Sequence, residues 1–485
     1  MSTGQEKKSR TPFTREKGGK LFYPWELTFE RILTPFEEFI ERETTSGIVL
    51  IVGTLLALTI ANSPLRHSYE SLIHLPISLS VGPLVLERSL LHWVNEGFMV
   101  FFFFIVGLEI KREILVGELA ELRQAVLPVV AAAGGMIAPA VIYHLINPSG
   151  DYAHGWGIPM ATDIAFCVSA LVLLGRRVPQ ALTIFLVALA IVDDLGAVAV
   201  IALFYTKTIH VPALAGAAGF LCSLLMFNLA GFRRNVPFAL AGLGLWLCLL
   251  FSGVHAAIAG ALIAFCVPAR GRYKPAVFSN EIKTLLNRFE KTTRGRECIL
   301  SNMEQFSVLQ KIDHEVHLAK PPLQRMLSSL HLPVALLVIP SFALVNAGIT
   351  LDMESLSMAV LHPVSLGVMA GLIIGKACGI TAFSWVFSRM GIVSLPEGVR
   401  IGHIAGVGIL GGIGFTMSIF IAELSFGALP DTREIAKTGV ILGSLLSGLT
   451  GMTWLWYMSR RHPPNQAPVH DPLERDGECR GSSTS

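Results

Sequence analysis

Residues 181–205 read ALTIFLVALAIVDDLGAVAVIALFY, an apolar run with two adjacent carboxylates, Asp193 and Asp194, at its middle. About 20 apolar residues in a helix cross roughly 30 Å of hydrocarbon. Ionisable groups inside such a span are costly, and they mark pathways or sites. The stretch therefore predicts both a membrane-spanning helix and a place where chemistry happens. Neighbours on a helix point about 100° apart, so one Asp can face a cavity while the other faces a neighbouring helix.

The rest of the chain agrees with this class. Of 485 residues, 52% are apolar and only 15% are charged, against about 25% charged in soluble proteins. The mean hydropathy is +0.59. Soluble, disordered and disulfide-framework classes are excluded, which leaves an all-α polytopic membrane protein. A net charge of +3 is too small to make nucleic acid a partner. The seven cysteines form no CxxC pair. Cys167, Cys222, Cys248, Cys266 and Cys378 lie in apolar runs and read as small core residues, while Cys298 and Cys479 lie in polar segments. Residues 1–20 are polar and lack the apolar stretch of a signal peptide.

Twelve apolar runs are long enough to be spans, near 46–62, 90–108, 125–146, 158–174, 181–205, 211–230, 236–252, 254–268, 332–349, 359–387, 401–422 and 435–458. The seventh and eighth meet at Ser252-Gly253 and divide there. Lys111, Arg112, Arg123, Arg176, Arg177, Arg233, Arg234, Arg389 and Arg400 fall in alternate loops, 147–156 and 350–358 hold no Lys or Arg, and Arg66, Arg88, Lys207 and Arg433 run against the trend without reversing it. The positive-inside rule then puts both termini in the cytoplasm. Residues 1–43 form a cytoplasmic segment in which Phe29, Ile32, Leu33, Phe36, Phe39 and Ile40 suggest an amphipathic surface helix. Residues 44–460 form the transport domain, and the polar tail 461–485 is expected to be disordered. The alternation of PISLSVGPLVLER (76–88) predicts a β-hairpin on the outer side. Residues 269–325 read as a charged inner loop with a helical pattern around 279–290 that does not span.

Further charges lie within or at the ends of spans: Asp163 in the fourth, Lys376 in the tenth, His255 at the start of the eighth, and Glu109 at the close of the second, followed by Lys111, Arg112 and Glu113. One midplane Lys cannot neutralise three Asp, so pairing alone does not account for them. Carboxylate oxygens bind hard cations such as Na⁺, and the same oxygens take protons. A site of this kind exchanges one for the other when it opens alternately to the two sides. No GxxxxGK[ST] loop or nucleotidase domain is visible, so no cofactor is expected. His255 also reads as an ordinary interhelical hydrogen-bonder, and Glu109 with its neighbours as an ordinary charged helix end. The Phe101–Phe104 run reads as lipid-facing bulk.

Glycine interrupts two spans. Gly155, Gly157 and Pro159 precede Thr162-Asp163 in the fourth, and Gly406, Gly408, Gly411, Gly412 and Gly414 precede Phe415-Thr416 in the eleventh. These spans are the middle members of the triplets three-to-five and ten-to-twelve. Gly-interrupted spans in matching positions point to broken helices in an inverted repeat, although close packing also uses glycine. Half-helix ends carry partial charges. Asp163 is placed to offset the positive ends and Lys376 the negative ones.

FIVGLEIKRE (104–113), GGMIAPA (134–140), ATDIAF (161–166), ALAIVDDLGAV (188–198), IALFYT (201–206), SGVHAAIAG (252–260), FALVNAG (342–348), LIIGKACGI (372–380) and GILGGIGFTMSIFIAELSFG (408–427) occur in this order. Together they resemble the NhaA-type Na⁺/H⁺ antiporters of bacterial inner membranes, themselves a standing example of inverted-repeat transporters. The resemblance implies twelve helices, with spans 4 and 11 discontinuous and crossed near the midplane. It implies a secondary transporter, not an enzyme, that extrudes Na⁺ or Li⁺ electrogenically with more protons entering than Na⁺ leaving, for sodium and pH homeostasis. Asp193 and Asp194 would form the Na⁺ and proton site, with Asp194 facing the cavity and Asp193 paired with Lys376. Thr162 and Asp163 match the broken-helix residues, and His255, Glu109 and Glu113 are the expected pH-response residues. The 76–88 hairpin matches the element through which the family forms homodimers.

Three features depart from the family pattern: the long 269–325 loop, the extended termini, and Leu327 where an acidic residue of the pH-sensing cluster is expected. These departures bear on the pH set-point and leave the transport core intact. An intramembrane aspartyl protease also uses two acids, but neither its YD nor its GxGD string occurs here. A channel needs no protonatable ligands combined with broken repeats. A proton antiporter for another monovalent cation such as K⁺ remains the alternative, because selectivity depends on cavity geometry.

Overall fold

The computed structural model describes residues 15–17, 20–22, 43–81, 84–206, 209–271, 275–292, 302–349, 357, 359–396 and 398–461. The expected surface helix near 29–40, Cys298, Cys479 and the tail beyond 461 lie outside them. Two short strands, β1 (Arg15–Lys17) and β2 (Lys20–Phe22), pair antiparallel. Helices α1 (Glu43–Ala61) and α2 (Arg66–Ile73) lead to β3 (Pro76–Val81) and β4 (Leu84–Ser89). The last two pair antiparallel from Pro76↔Ser89 to Val81↔Leu84, which matches the alternation read from 76–88.

The bundle follows. It comprises α3 (Met99–Val116), entered through a π-helical turn at Trp93–Phe98, then α4 (Leu122–Ile146), a 3₁₀ segment (Asp151–Met160), α5 (Ile164–Leu174), α6 (Gln180–Phe204), α7 (Val211–Leu229), α8 (Asn235–Ser252) and α9 (Ile258–Cys266). The 269–325 region holds two helices packed on each other, α10 (Pro275–Lys291) and α11 (Met303–Ala319). The sequence reading anticipated only the first. The chain continues through α12 (Pro322–Pro333), α13 (Ile339–Asn346), α14 (Pro363–Ala370), a π turn (Gly371–Gly375), α15 (Lys376–Arg389), α16 (Ile401–Leu410), α17 (Phe415–Ser425) and α18 (Pro430–Arg461). The expected division after Ser252 is present: α8 ends at Gly253, which takes φ +85°, a conformation that glycine adopts without cost.

By length and composition, eight of the described helices can cross a membrane, or up to ten if each of two bent pairs is one span. The twelve runs read from the sequence exceed this for physical reasons. Met99–Val116 carries Glu109, Lys111, Arg112 and Glu113 within its length, and Ile258–Cys266 is only nine residues long. The bent pairs are Gly47–Ala61 with Arg66–Ile73 at 117°, and Ile401–Leu410 with Phe415–Ser425 at 52°.

Close backbone approach sets the middle of the bundle. A Cβ on Gly134 of α4 would strike the Gly379 carbonyl of α15, and one on Gly379 would strike the Gly134 carbonyl. This seats α15, and Lys376 at its start, against α4. Two sequence expectations change here. Cys222 and Cys378 are exposed rather than core, because the exterior of a membrane bundle is as apolar as its interior. Phe103 and Phe104 are buried, and of this run only Phe101 is substantially exposed. A run of like residues does not reveal which helix face points outward.

Candidate functional site

The fourth and eleventh runs are both interrupted, and their breaks touch. Helix α5 begins after Asp163 and α17 after Gly414, while the 3₁₀ segment stops at Met160 and α16 at Leu410. Backbone groups freed at these ends need partners in a setting without water, and each break supplies them to the other. The Asp163 N–H donates to the Ile413 carbonyl (2.7 Å). Thr162 Oγ1 lies 2.9 Å from the Gly411 carbonyl it can donate to. Cys167 Sγ donates to the Leu410 carbonyl (3.0 Å) and Ser418 Oγ to the Ile158 carbonyl (2.7 Å). Ser444 Oγ of α18 accepts from the Gly414 and Phe415 N–H groups, each at 3.2 Å.

Asp163 serves both positive ends. Its Oδ1 accepts the Phe166 N–H of its own helix (3.2 Å), and its Oδ2 accepts the Thr416 N–H (3.1 Å) and hydroxyl (2.5 Å) of α17. An acidic N-cap satisfies orphan donors and complements the helix dipole, here for two helices at once. The negative ends are met by the hydroxyl, thiol and amide donors above. Lys376 does not meet them, although its charge alone suggested that it would; it directs its ammonium to Asp193 Oδ2 in a fully buried ion pair, the pairing that the family resemblance implied. Thr162 Oγ1 is also within 2.8 Å of that oxygen. Asp193 thus joins α6, α15 and the first break at one point.

Asp194 differs. It is 1% exposed, yet neither carboxylate oxygen has a hydrogen-bond partner among the described residues. It lines a cavity of ≈ 170 Å³ together with Glu109, Arg112, Asp163, His331 and Thr416. A second cavity, of ≈ 290 Å³, holds His255, Glu96, Tyr205, Glu423 and Arg433. Helix α17 borders both, with Thr416 and Met417 on the first and Phe420 and Glu423 on the second. Phe420 packs against Phe103 (5.6 Å), Phe342 (6.1 Å) and the His255 ring (5.1 Å) between centroids.

The structure therefore brings together Thr162, Asp163, Asp193 and Lys376, with Asp194 and Glu109 on one cavity. Glu113 binds Arg112 (3.0 Å) at the end of α3, and His255 lies in the other cavity. Sequence reasoning gave no role to Thr416, Ser444, His331, or the largely buried Glu423–Lys437 pair (2.6 Å). Thr416 had a legible signal, since it follows the glycine run directly. His331 and Glu423 are polar residues near helix ends, where polarity is ordinary, and Lys437 and Ser444 lie within α18 with no local pattern to mark them.

The Na⁺/H⁺ antiporter 1 family matches residues 37–455. The chain is similar to Na(+)/H(+) antiporter NhaA 1 of Saccharophagus degradans, 49% identical over 431 residues that cover 89% of this chain and 93% of that protein. It is also similar to Na(+)/H(+) antiporter NhaA of Sulfurimonas denitrificans, at 47% over 442 residues (91% and 99%). With Na(+)/H(+) antiporter NhaA of Acidithiobacillus ferrooxidans the identity is 46% over 432 residues (89% and 99%).

Proposed function

The chain belongs to the Na⁺/H⁺ antiporter 1 family, and from that premise we propose that Asp194 is the carboxylate that takes Na⁺ and H⁺ in turn. The protein is a multi-pass membrane transporter that exchanges sodium for protons. The observation that carries the assignment is the contrast at the acid pair. Asp193 is already bonded to Lys376 and Thr162, whereas Asp194 is buried on a cavity with both oxygens unpartnered. A dehydrated cation requires anionic oxygen, and a buried carboxylate without partners is stabilised by either a cation or a proton. Glu109 and Arg112 line the same cavity.

The finer mechanism follows from family likeness. Transport is electrogenic, with more protons entering than Na⁺ leaving, and Li⁺ is a second substrate. The twelve runs form spans arranged as an inverted repeat, with the fourth and eleventh crossed near the midplane. The hydrogen bonds between residues 162–167 and 410–416 support that reading. Residues 44–460 form the transport domain, both termini are cytoplasmic in a bacterial inner membrane, and two chains associate through the 76–88 hairpin. His255, Glu109 and Glu113 govern the response to pH.

Ion-driven proton movement in everted vesicles tests this assignment. Na⁺ and Li⁺ are expected to release protons, and K⁺ is expected to do so far less. Asp194→Asn vesicles are expected to be inert to all three. Equal responses to K⁺ and Na⁺ would overturn the selectivity, and an active Asp194→Asn protein would overturn the site.

A further inference from the structure

We propose that Glu423 is a positioning residue for the exchange: its carboxylate clamps α17 to α18 and lets go when α17 moves, and Glu434 is the acid that takes over the cations it leaves. Glu423 is the one charged residue of α17. The first turns of α18 answer it with two cations. Lys437 Nζ lies 2.6 Å from its Oε1, and Arg433 Nη1 lies 3.4 Å from its Oε2. The Glu423 and Lys437 side chains are only 10% and 6% exposed.

The clamp is one of two attachments between these helices. At the other end of α17, Ser444 of α18 accepts the Gly414 and Phe415 N–H groups. Ser444 and Lys437 are seven residues apart, two helical turns, so they share one face of α18 about 10 Å from each other. That face therefore sets how far α17 stands along its own axis. Thr416, on the cavity of Asp194, and Phe420, on the cavity of His255, are carried with it. Phe420 lies three residues before Glu423, and its ring is packed among Phe103, Phe342 and His255.

Exchange requires the ion site to open to each side in turn, and α17 is the helix that borders both cavities. Breaking a buried ion pair is costly when it strands a charge. Here neither side is stranded. The half-exposed Glu434 already lies 3.3 Å from Lys437 and 3.7 Å from Arg433, so both cations keep a counter-charge when Glu423 leaves. Glu423 itself lines the ≈ 290 Å³ cavity, a polar space roomy enough for water to solvate the freed carboxylate. An ion pair with a spare acid on one side and a wet cavity on the other is a two-position device, and the spare acid lowers the cost of release.

Initial rates of Na⁺-driven proton movement in proteoliposomes of the full-length protein, measured over a range of Na⁺ concentrations, test the clamp. Glu434→Gln alters a half-exposed side chain. It is expected to slow exchange at saturating Na⁺ about threefold or more, the strength of a partly exposed ion pair expressed as a rate. Apparent Na⁺ affinity is expected to stay unchanged. Glu423→Gln leaves no clamp to release, and in that background Glu434→Gln is expected to have no further effect. Glu423→Asp keeps the charge but draws it back by one methylene. It stands in if the Gln protein does not assemble, and there the effect of Glu434→Gln is expected to shrink. A wild-type rate from Glu434→Gln, a loss of affinity in place of rate, or equal slowing with and without the Glu423 substitution overturns the proposal. The proposal rests on sodium–proton exchange by this chain and not on which carboxylate carries the ion. A wild-type protein without exchange would overturn both readings, whereas normal wild-type exchange with the wrong variant pattern overturns the clamp alone.

Discussion

Asp193 and Asp194 are consecutive in α6 and equally buried, at 1% exposure each, yet one carboxylate is bonded through an oxygen and the other through neither, among the described residues. Asp193 Oδ2 faces both Lys376 and Thr162, while Asp194 has no hydrogen-bond partner among the described residues and lies on a cavity. The 100° turn between neighbours in a helix separates these environments. A bonded carboxylate holds helices in register, whereas an unbonded one is available to a moving ion.

The buried pair predicts a coupled stability loss. Lys376→Ala leaves Asp193 buried without its cation, at a cost of about 3–5 kcal/mol. Adding Asp193→Asn removes the stranded charge and is expected to recover part of that loss. A double-mutant cycle by thermal or denaturant unfolding reads the coupling. Additive losses would show that the two side chains act independently.

Asp163 caps α5 and bonds the first turn of α17. Asp163→Ala is expected to cost about 2–4 kcal/mol, from two caps at about 1–2 each. Asp163→Asn keeps an acceptor oxygen and is expected to lose much less. A stability ranking in which Asn is as damaging as Ala would place the importance of Asp163 in its charge rather than in capping.

Much of this arrangement was legible in the sequence, because charge in an apolar run is conspicuous. Asp163, Asp193, Asp194 and Lys376 stand out on composition alone, and glycine marks both breaks. What was not legible depends on which way a helix faces. The Phe101–Phe104 run holds Phe103, which packs against Phe420, beside exposed Phe101. Cys222 and Cys378 look like core residues and are exposed. Charge alone set Lys376 against negative helix ends; the resemblance paired it with Asp193, and distance bears out that pairing. Glu423 and Lys437 pair across α17 and α18, a contact that no local pattern announces.

Competition for one carboxylate predicts the pH dependence. A protonated Asp194 offers no anionic oxygen, so lowering pH is expected to weaken apparent Na⁺ affinity while the maximal rate at saturating Na⁺ changes far less. A switch at His255, Glu109 or Glu113 would instead lower the rate even at saturating Na⁺. Apparent affinity and maximal rate across a pH series separate these outcomes. An affinity that stays constant with pH excludes competition.

The central claim is that Asp194 exchanges its proton for Na⁺, and proton release on Na⁺ addition to the purified protein in weak buffer measures that event directly. The wild-type protein is expected to release protons saturably with Na⁺ and to take them up again when Na⁺ is withdrawn. Asp194→Asn, with its fold verified by unfolding, is expected to release none. Proton release of wild-type size from Asp194→Asn would contradict the account and move the exchange to another group.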